Sequence, residues 1–286
     1  MRVLLTGANG QLGLCLQDQL PASWSLKAAT HAELDITDRS LLVDLIDRYH
    51  PDVIINAAAY TAVDKAEQDP VRANLVNHIG PKLLAEIAEK KAIRLIHIST
   101  DYVFDGQKQT PYLETDKTDP INVYGQTKRL GEKTILENNP SAVILRTSWV
   151  FSEYGNNFVK TMLRLARDRH ELSIVADQFG NPTYAGDLAK AIITVITENN
   201  FAGGVYHYSG DRTVSWYEFA HEIFDQAAKL DKLLHPIIVH PLTTAQYPTL
   251  AKRPKYSALD CNKITSNGIK CSNWFVALQQ VIRQLD

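Results

Sequence analysis

The chain has 286 residues, enough for one large domain or for a domain with a smaller second lobe. A formal net charge of -2 gives no electrostatic reason to expect binding to nucleic acid or to an acidic membrane surface. No apolar run approaches the roughly 18 residues that cross a bilayer, and the first residues do not read as a signal peptide. Because the cysteines are few and scattered, we expect reduced thiols and a cytoplasmic protein; they are Cys15, Cys261 and Cys271.

A short apolar strand followed by a glycine-rich turn opens the chain. The strand spans Arg2 to Thr6, and Gly7, Gly10 and Gly13 follow before a helix that ends near Leu20. In this context Gly7 allows a tight turn, Gly10 lets a pyrophosphate approach the backbone, and Gly13 lets the helix pack on the strand. The N–H groups at the start of the helix then face the phosphates. A plain strand-to-helix turn is the alternative, and the glycine spacing makes it less favoured.

Strands and helices alternate over the first 150 residues. The predicted strands are Ser25 to Ala29, Asp52 to Asn56, Arg94 to Ile98 and Ala142 to Thr147, and the predicted helices are Asp38 to Tyr49, much of Pro70 to Lys91 and the segment around residues 124 to 128. This alternation predicts an α/β fold, a Rossmann-like doubly wound parallel sheet.

After residue 149 the pattern loosens. It predicts helices over Asn156 to Asp168, Ala185 to Thr197, Ser215 to Leu230 and Trp274 to Leu285, strands over Leu172 to Val175 and Gly204 to Tyr208, and a proline-rich polar stretch from Pro236 to Pro254. We interpret residues 1–150 as a dinucleotide-binding domain and residues 151–286 as a smaller substrate-binding lobe. Some of the later elements are expected to return to the main sheet.

Tyr124 and Lys128 lie one helical turn apart, so an ammonium group can sit beside a phenol. A free tyrosine titrates near pH ~10, and a cation about 5 Å away supplies roughly 3 kcal/mol toward stabilising the phenolate at an effective dielectric of about 20. The pair is therefore a candidate acid with a neighbouring cation. An ordinary amphipathic helix face is the alternative, because this spacing often arises by chance.

The order of the glycine-rich turn, Ser99-Thr100-Asp101, Tyr124 and Lys128 resembles the extended short-chain dehydrogenase/reductases. Several longer segments are similar to the dTDP-4-dehydrorhamnose reductase family, and together they cover essentially the whole chain. These segments are residues 56–67, with Asn56-Ala-Ala-Ala-Tyr-Thr-Ala-Val-Asp, residues 99–106, with Ser-Thr-Asp-Tyr-Val-Phe-Asp-Gly, residues 146–149, with Arg-Thr-Ser-Trp, residues 155–159, with Gly-Asn-Asn-Phe-Val, and residues 251–257, with Ala-Lys-Arg-Pro-Lys-Tyr-Ser.

The resemblance implies reduction of the 4-keto group of dTDP-4-dehydro-β-L-rhamnose to dTDP-L-rhamnose, the last step toward the dTDP-rhamnose used in cell-surface polysaccharide such as O-antigen. It implies that Tyr124 protonates the sugar oxygen, that Lys128 holds the nicotinamide ribose and lowers the tyrosine's pKa, and that Thr100 binds the carbonyl. The implied substrate contacts are Thr100, Asp101, Trp149 and Arg253. The implied cofactor contacts are Gly7, Gly10, Gln11, Leu12, Gly13, Asp35, Ile36, Ala59, Tyr60, Thr61, Tyr124 and Lys128.

Some of these residues have ordinary structural alternatives. Trp149 could be an aromatic residue of the core, and Arg253 could be a solvated cation on the surface. Asp35 could cap the turn that follows it. His97 lies inside an apolar strand and is interpreted as a core residue. The nine histidines show no metal-ligand spacing, so no residue is assigned to a metal.

The cofactor preference and the assembly stay open at this stage. Thr30 and His31, after the second strand, supply neither the acidic residue that favours NAD nor an arginine that favours NADP, so we expect NADPH with NADH possible. In the family, a magnesium ion can bridge a homodimer through acidic side chains, and this chain has Cys15 at one of those positions. Magnesium and that mode of dimerisation are therefore uncertain.

Three other functions remain as alternatives. A related dTDP-4-keto-deoxysugar reductase, of talose or streptose type, belongs to the same class of enzyme. A non-catalytic nucleotide-binding regulatory subunit is disfavoured because Tyr124, Lys128 and Thr100 are all present. An epimerase or dehydratase is also disfavoured, since dehydratases usually follow the threonine with Asp and Glu, whereas Tyr102 follows Asp101 here.

Overall fold

The structure, a computed structural model, describes residues 1–198 and 201–285. The strands are β1 (Arg2–Thr6), β2 (Ser25–Ala29), β3 (Val53–Asn56), β4 (Arg94–Thr100), β5 (Val143–Thr147), β6 (Val150–Phe151), β7 (Glu171–Val175), β8 (Phe179–Gly180), β9 (Thr183–Tyr184), β10 (Gly204–His207), β11 (Val214–Ser215) and β12 (Ile238–Leu242). The α-helices are α1 (Gln11–Gln19), α2 (Arg39–Tyr49), α3 (Val63–Gln68), α4 (Pro70–Asn74), α5 (Gly80–Lys90), α6 (Val123–Asn138), α7 (Phe158–Leu165), α8 (Ala185–Thr197), α9 (Trp216–Lys229), α10 (Asn262–Thr265) and α11 (Trp274–Gln284). A π-helical segment, Leu75–Ile79, joins α4 to α5, and short 3-10 turns lie at Asp101–Val103 and Thr244–Gln246.

The main sheet has six parallel strands in the order β2-β1-β3-β4-β5-β10. The chain moves outward from β1 to β2, and then crosses back to place β3 on the other side of β1. This reversal is the topological switch point, beside which open α/β sheets bind their ligands. The predicted doubly wound α/β fold is confirmed.

Helices cover both faces of the sheet, so its strands are almost continuously apolar. Successive side chains along a strand point to opposite faces. Val3 and Leu5 pack in one core with Leu188 of α8, whereas Leu4 packs in a second core with Leu84 of α5. The two cores hold the carboxyl ends of β1, β3 and β4 in fixed relative positions.

A third core forms among α7, α9, α11, β7 and β12, around side chains such as Phe219 and Leu278. Strand β10 and helix α8 come from the same half of the sequence, yet β10 completes the main sheet and α8 packs beside α1. A division at residue 150 stays a prediction. The proline-rich stretch also contains β12, which includes Pro241 and pairs with β7 in a two-stranded sheet of the described residues. Proline is tolerated there because such a strand has an edge free of ladder bonds.

Candidate active site

A cleft of about 540 Å³ opens at the switch point between the carboxyl ends of β1 and β3. All twelve residues predicted to contact the cofactor line it, which brings together segments from the first 61 residues and from α6. They are Gly7, Gly10, Gln11, Leu12, Gly13, Asp35, Ile36, Ala59, Tyr60, Thr61, Tyr124 and Lys128. Their roles in binding remain predictions.

The glycine-rich turn has the close backbone approaches that its spacing predicts. Gly7 has φ 71°, and a Cβ there would lie 2.6 Å from the Ala58 nitrogen. A Cβ on Gly13 would lie 2.3 Å from the Gly7 oxygen, so α1 packs directly on the turn. No side chain caps the start of α1 at Gly10, which leaves its first-turn N–H groups available to an anion. This arrangement fits the diphosphate of a dinucleotide.

Thr100 and Asp101 are buried at the end of β4, beside Tyr124. The Thr100 hydroxyl donates to Asp101 Oδ1 at 3.0 Å, and Thr100 lies close enough to Tyr124 to lower the pKa of its phenol in part. Burial raises the pKa of Asp101 to about 7, and the nearby hydroxyls of Ser257 and Thr100 offset only part of that effect. Asp101 Oδ2 is buried and makes no hydrogen bond of normal geometry within the described part of the chain. It is therefore a polar atom that a sugar hydroxyl could satisfy.

Lys128 is buried under the sheet edge, where Nζ donates to the Ile98 oxygen at 2.5 Å and lies 3.3 Å from His97 Nε2. The Ala58 N–H donates to Asn56 Oδ1, which turns the Asn56 amide nitrogen toward His97 Nδ1 at 2.9 Å. Burial lowers the pKa of Lys128 to about 8, against the opposing charge of Glu132.

The pKa of Tyr124 differs from the expectation. Burial raises it to about 12, Thr100 lowers it in part, and the charge of Asp101 raises it further. Burial dominates this shift, and a lowering of the pKa by Lys128 stays a prediction. Tyr124 is therefore a protonated phenol throughout the neutral range, which suits a proton donor.

A buried ion pair fastens α6, which carries both of these side chains, to β5. Arg146 donates through Nε and Nη2 to the two oxygens of Glu132, at 2.9 and 2.7 Å. Ser99, next to Thr100, donates to the same carboxylate at 2.5 Å. The guanidinium also lies 5.0 Å from the centre of the Phe104 ring. Sequence reasoning did not identify this support, because its partners come from three elements.

Asn77, in the π-helical segment, fixes the loop after β3. Its side chain accepts from the Tyr60 N–H at 2.8 Å and donates to the Tyr60 oxygen at 3.0 Å and to Thr127 at 3.2 Å. A Cβ on Gly131 would lie 2.2 Å from the backbone oxygen of Asn77, so α6 approaches this segment closely. π-helical segments of this kind often occur at functional sites.

None of the four predicted substrate residues, Thr100, Asp101, Trp149 and Arg253, is among the residues that line the cleft. The Trp149 ring stacks on Trp216 with centroids 3.5 Å apart, next to Gly180. Arg253 borders two neighbouring cavities, of about 940 and 710 Å³, and both of its terminal nitrogens bind Asp64 of α3, at 3.1 and 2.5 Å. Arg253 is therefore a paired, largely buried cation, and its contact with a substrate stays a prediction.

Arg72 of α4 is a cleft residue that the sequence did not single out. Its Nη2 donates to His31 Nε2 at 3.1 Å and lies 3.6 Å from Asp35 Oδ2. Partial burial raises the pKa of Asp35, but hydrogen bonds from Thr37 and the nearby cations outweigh it and keep that pKa below its ordinary value. An arginine therefore lies at the end of β2 after all, although it comes from a distant part of the chain.

Cys15 is buried near Glu153 and Asp18, and burial together with these charges raises the pKa of its thiol to about 12. Within residues 1–198 and 201–285, no group of three or more His, Cys, Asp or Glu side chains could hold a metal ion. In the same residues, no helix is long and apolar enough to cross a membrane.

A family model described as the RmlD substrate binding domain matches residues 1–286. Among curated proteins, the dTDP-4-dehydrorhamnose reductase of Aggregatibacter actinomycetemcomitans is 48% identical over 98% of both chains. That of Sinorhizobium fredii is 42% identical over 99% of this chain and 97% of its own.

Solved structures give the same result. A dTDP-4-dehydrorhamnose reductase from Clostridium acetobutylicum is 40% identical with a TM-score of 0.92, and one from Bacillus anthracis, in complex with NADP, is 39% identical with a TM-score of 0.93. Each match covers 99% of both chains. A UDP-glucose 4-epimerase from Thermus thermophilus, 17% identical with a TM-score of 0.82, shares the fold.

Proposed function

The chain belongs to the dTDP-4-dehydrorhamnose reductase family, and from this membership we propose that it reduces dTDP-4-dehydro-β-L-rhamnose to dTDP-L-rhamnose, with NADPH as the reductant. The observation that carries the proposal is that Tyr124 and Lys128 line the same cleft as the glycine-rich turn, with Thr100 close to Tyr124. A relative of this chain forms a complex with NADP, which supports a dinucleotide in this cleft.

The residues of the cleft would hold the two ends of the dinucleotide. The N–H groups at the start of α1 would bind its diphosphate, and Lys128 would bind the ribose next to the nicotinamide. Asn77 keeps the loop of Ala59, Tyr60 and Thr61 in place along the same cleft. The chemistry supplied by the bound dinucleotide is hydride donation.

Reduction of a ketone to an alcohol needs one hydride and one proton, and Tyr124 would supply the proton to the carbonyl oxygen. Because the pKa of Tyr124 is about 12, the proton is present at neutral pH and leaves only when a more basic alkoxide develops. Thr100 would donate a hydrogen bond to the same oxygen, and the free Oδ2 of Asp101 would accept one from a sugar hydroxyl. The hydrogen bonds that Tyr124 and Thr100 donate would strengthen as negative charge develops on the carbonyl oxygen, so they should act mainly on kcat.

The function is tested by incubating the protein with NADPH and a panel of nucleotide 4-keto sugars while the absorbance of the reduced nicotinamide is followed. We expect oxidation of NADPH with dTDP-4-dehydro-β-L-rhamnose and formation of dTDP-L-rhamnose, identified by NMR of the isolated product. A C4 epimer as the product would instead identify a talose-type reductase. Absence of NADPH oxidation with every sugar would contradict an enzymatic function and favour a regulatory nucleotide-binding subunit.

A further inference from the structure

We propose that Arg72 recognises the 2′-phosphate of NADPH and that Asp35, beside it, limits how strongly NADPH is preferred over NADH. This inference rests on the proposed function in assuming a nicotinamide dinucleotide in the cleft. It adds a determinant of cofactor choice at a position where the second strand itself supplies none.

The place of Arg72 in the fold is the first argument. In doubly wound folds the residues just after the second strand meet the 2′ position of the adenosine ribose, where an acidic side chain favours NAD and an arginine accommodates NADP. Strand β2 ends at Ala29, and His31 follows it at the rim of the cleft. Arg72 reaches this point from α4, and its Nη2 donates to His31 Nε2 at 3.1 Å.

The chemistry of the guanidinium is the second argument. Arg72 is about one-third exposed, and of its nitrogens Nη2 is the one in contact with His31 and Asp35, so the planar group keeps donors for a further anion. A guanidinium binds phosphate oxygens through two parallel hydrogen bonds, whereas a ribose hydroxyl offers no charge to pair with it. Arg72 should therefore discriminate between the two cofactors.

Asp35 acts in the opposite direction. Its Oδ1 accepts from the Thr37 N–H at 2.9 Å and the Thr37 hydroxyl at 2.8 Å, while its Oδ2 faces Arg72 at 3.6 Å. That carboxylate oxygen can accept from a 2′-hydroxyl but repels a phosphate. The site thus holds one group that favours each cofactor, so the preference should be moderate in the natural protein.

The test measures binding directly, without the sugar. NADPH and NADH are titrated separately into the wild type and into Arg72→Ala, Asp35→Asn and Arg48→Ala, with nicotinamide fluorescence as the readout. Competition by 2′,5′-ADP and by 5′-AMP isolates the contribution of the 2′-phosphate. Arg48 is the matched control, since it is an exposed arginine of α2 paired with Asp44 and lies outside the cleft.

We expect Arg72→Ala to weaken the binding of NADPH and of 2′,5′-ADP by about 10- to 100-fold, the usual effect of losing a charged hydrogen bond. The affinities for NADH and 5′-AMP should stay within about twofold of the wild-type values. Asp35→Asn keeps an oxygen for Thr37 and should raise the ratio of NADPH to NADH affinity. Arg48→Ala should leave the affinity for both cofactors unchanged.

Equal losses for both cofactors in Arg72→Ala would show a structural role and overturn the assignment, as would unchanged affinity for both. Turnover of the 4-keto sugar by the wild type, measured alongside, keeps the two proposals apart. If the wild type reduces the sugar while Arg72→Ala retains the wild-type cofactor ratio, the function stands and the assignment of Arg72 fails.

Discussion

The Tyr124 side chain would donate one proton to the substrate in every turnover. Its pKa of about 12 keeps it protonated, and Phe preserves the ring that meets Tyr102 edge-on at 5.9 Å. We expect Tyr124→Phe to bind NADPH as the wild type does and to lose about 10² to 10⁴-fold in kcat, the usual value of general acid catalysis. Steady-state kinetics and cofactor fluorescence measure the two effects. A variant that turns over within about threefold of the wild type would remove Tyr124 from the mechanism.

Asp101 should lower the stability of the folded protein above neutral pH. Burial raises its pKa from 3.8 to about 7, so the folded state holds a proton that the unfolded state has released between those values. Stability therefore falls as the pH rises through this window, and the destabilisation is complete above about pH 7. Asp101→Asn removes the charge and should raise the free energy of unfolding by roughly 1 to 3 kcal/mol at pH 8.

Urea denaturation of both proteins at pH 8 and pH 5 measures this effect. The gain in Asp101→Asn should be clearly smaller at pH 5, while kcat should fall because a contact to the sugar is altered. An equal gain at both pH values would mean that the carboxyl group is not the cause. The comparison separates a residue retained for function from one retained for stability.

At the scale of elements, α6 is held by a buried charge pair. The Glu132 and Arg146 side chains are 6% and 5% exposed, so removing Glu132 leaves a buried, uncompensated guanidinium. We expect Glu132→Ala to cost about 3 to 5 kcal/mol of stability, the usual effect of breaking a buried pair. Glu137→Ala, on the same helix, removes an exposed pair with Lys133 and should cost about 0 to 1 kcal/mol.

Denaturant titration of these variants and of the double variant Glu132→Leu/Arg146→Met measures the difference. The double variant removes both charges and should recover much of the stability. A cost in Glu132→Ala no larger than in Glu137→Ala would show that α6 does not depend on the pair. Loss of kcat with retained stability would be a separate effect, through the charge that Glu132 exerts on Lys128.

The same scale shows what could be predicted from the sequence. The glycine-rich turn could be predicted from the sequence, because the conformation of Gly7 and the close approach at Gly13 depend on the backbone alone. The alternation of strands and helices could also be predicted, because it depends on local periodicity. The contact of Arg72 with His31 could not be predicted, since the two residues are 41 positions apart and no local pattern links them.

Burial explains a second kind of error. A spacing of four residues places Tyr124 and Lys128 on one helix face, but it does not say how deeply either is covered or what else binds the ammonium group. The structure gives Lys128 two partners in β4 and makes desolvation the largest influence on both pKa values. Sequence spacing therefore does not predict the pKa of either side chain, and the roles of both residues stay predictions.

At the scale of the whole molecule, the pair of Asp64 and Arg253 joins the two halves of the sequence. Asp64 lies at the start of α3, and Arg253 follows the Thr244–Gln246 turn and borders two cavities. The Asp64 carboxylate also accepts from the Ala251 N–H at 3.0 Å. The pair could serve only to clamp the halves, or it could hold Arg253 ready for the diphosphate of the nucleotide sugar.

The variants Arg253→Ala and Asp64→Asn distinguish these roles, because only the first removes the guanidinium. If Arg253 binds the diphosphate, Arg253→Ala should weaken dTDP binding by about 1.5 to 3 kcal/mol, the range for a charged hydrogen bond. Asp64→Asn frees the cation and should leave dTDP affinity unchanged or higher, and NADPH affinity should stay nearly constant in both. Calorimetric titration of dTDP and of NADPH into each variant measures all four values. Equal weakening of dTDP in the two variants would instead show that the ion pair is a clamp, and that the nucleotide is held by other residues of the neighbouring cavities.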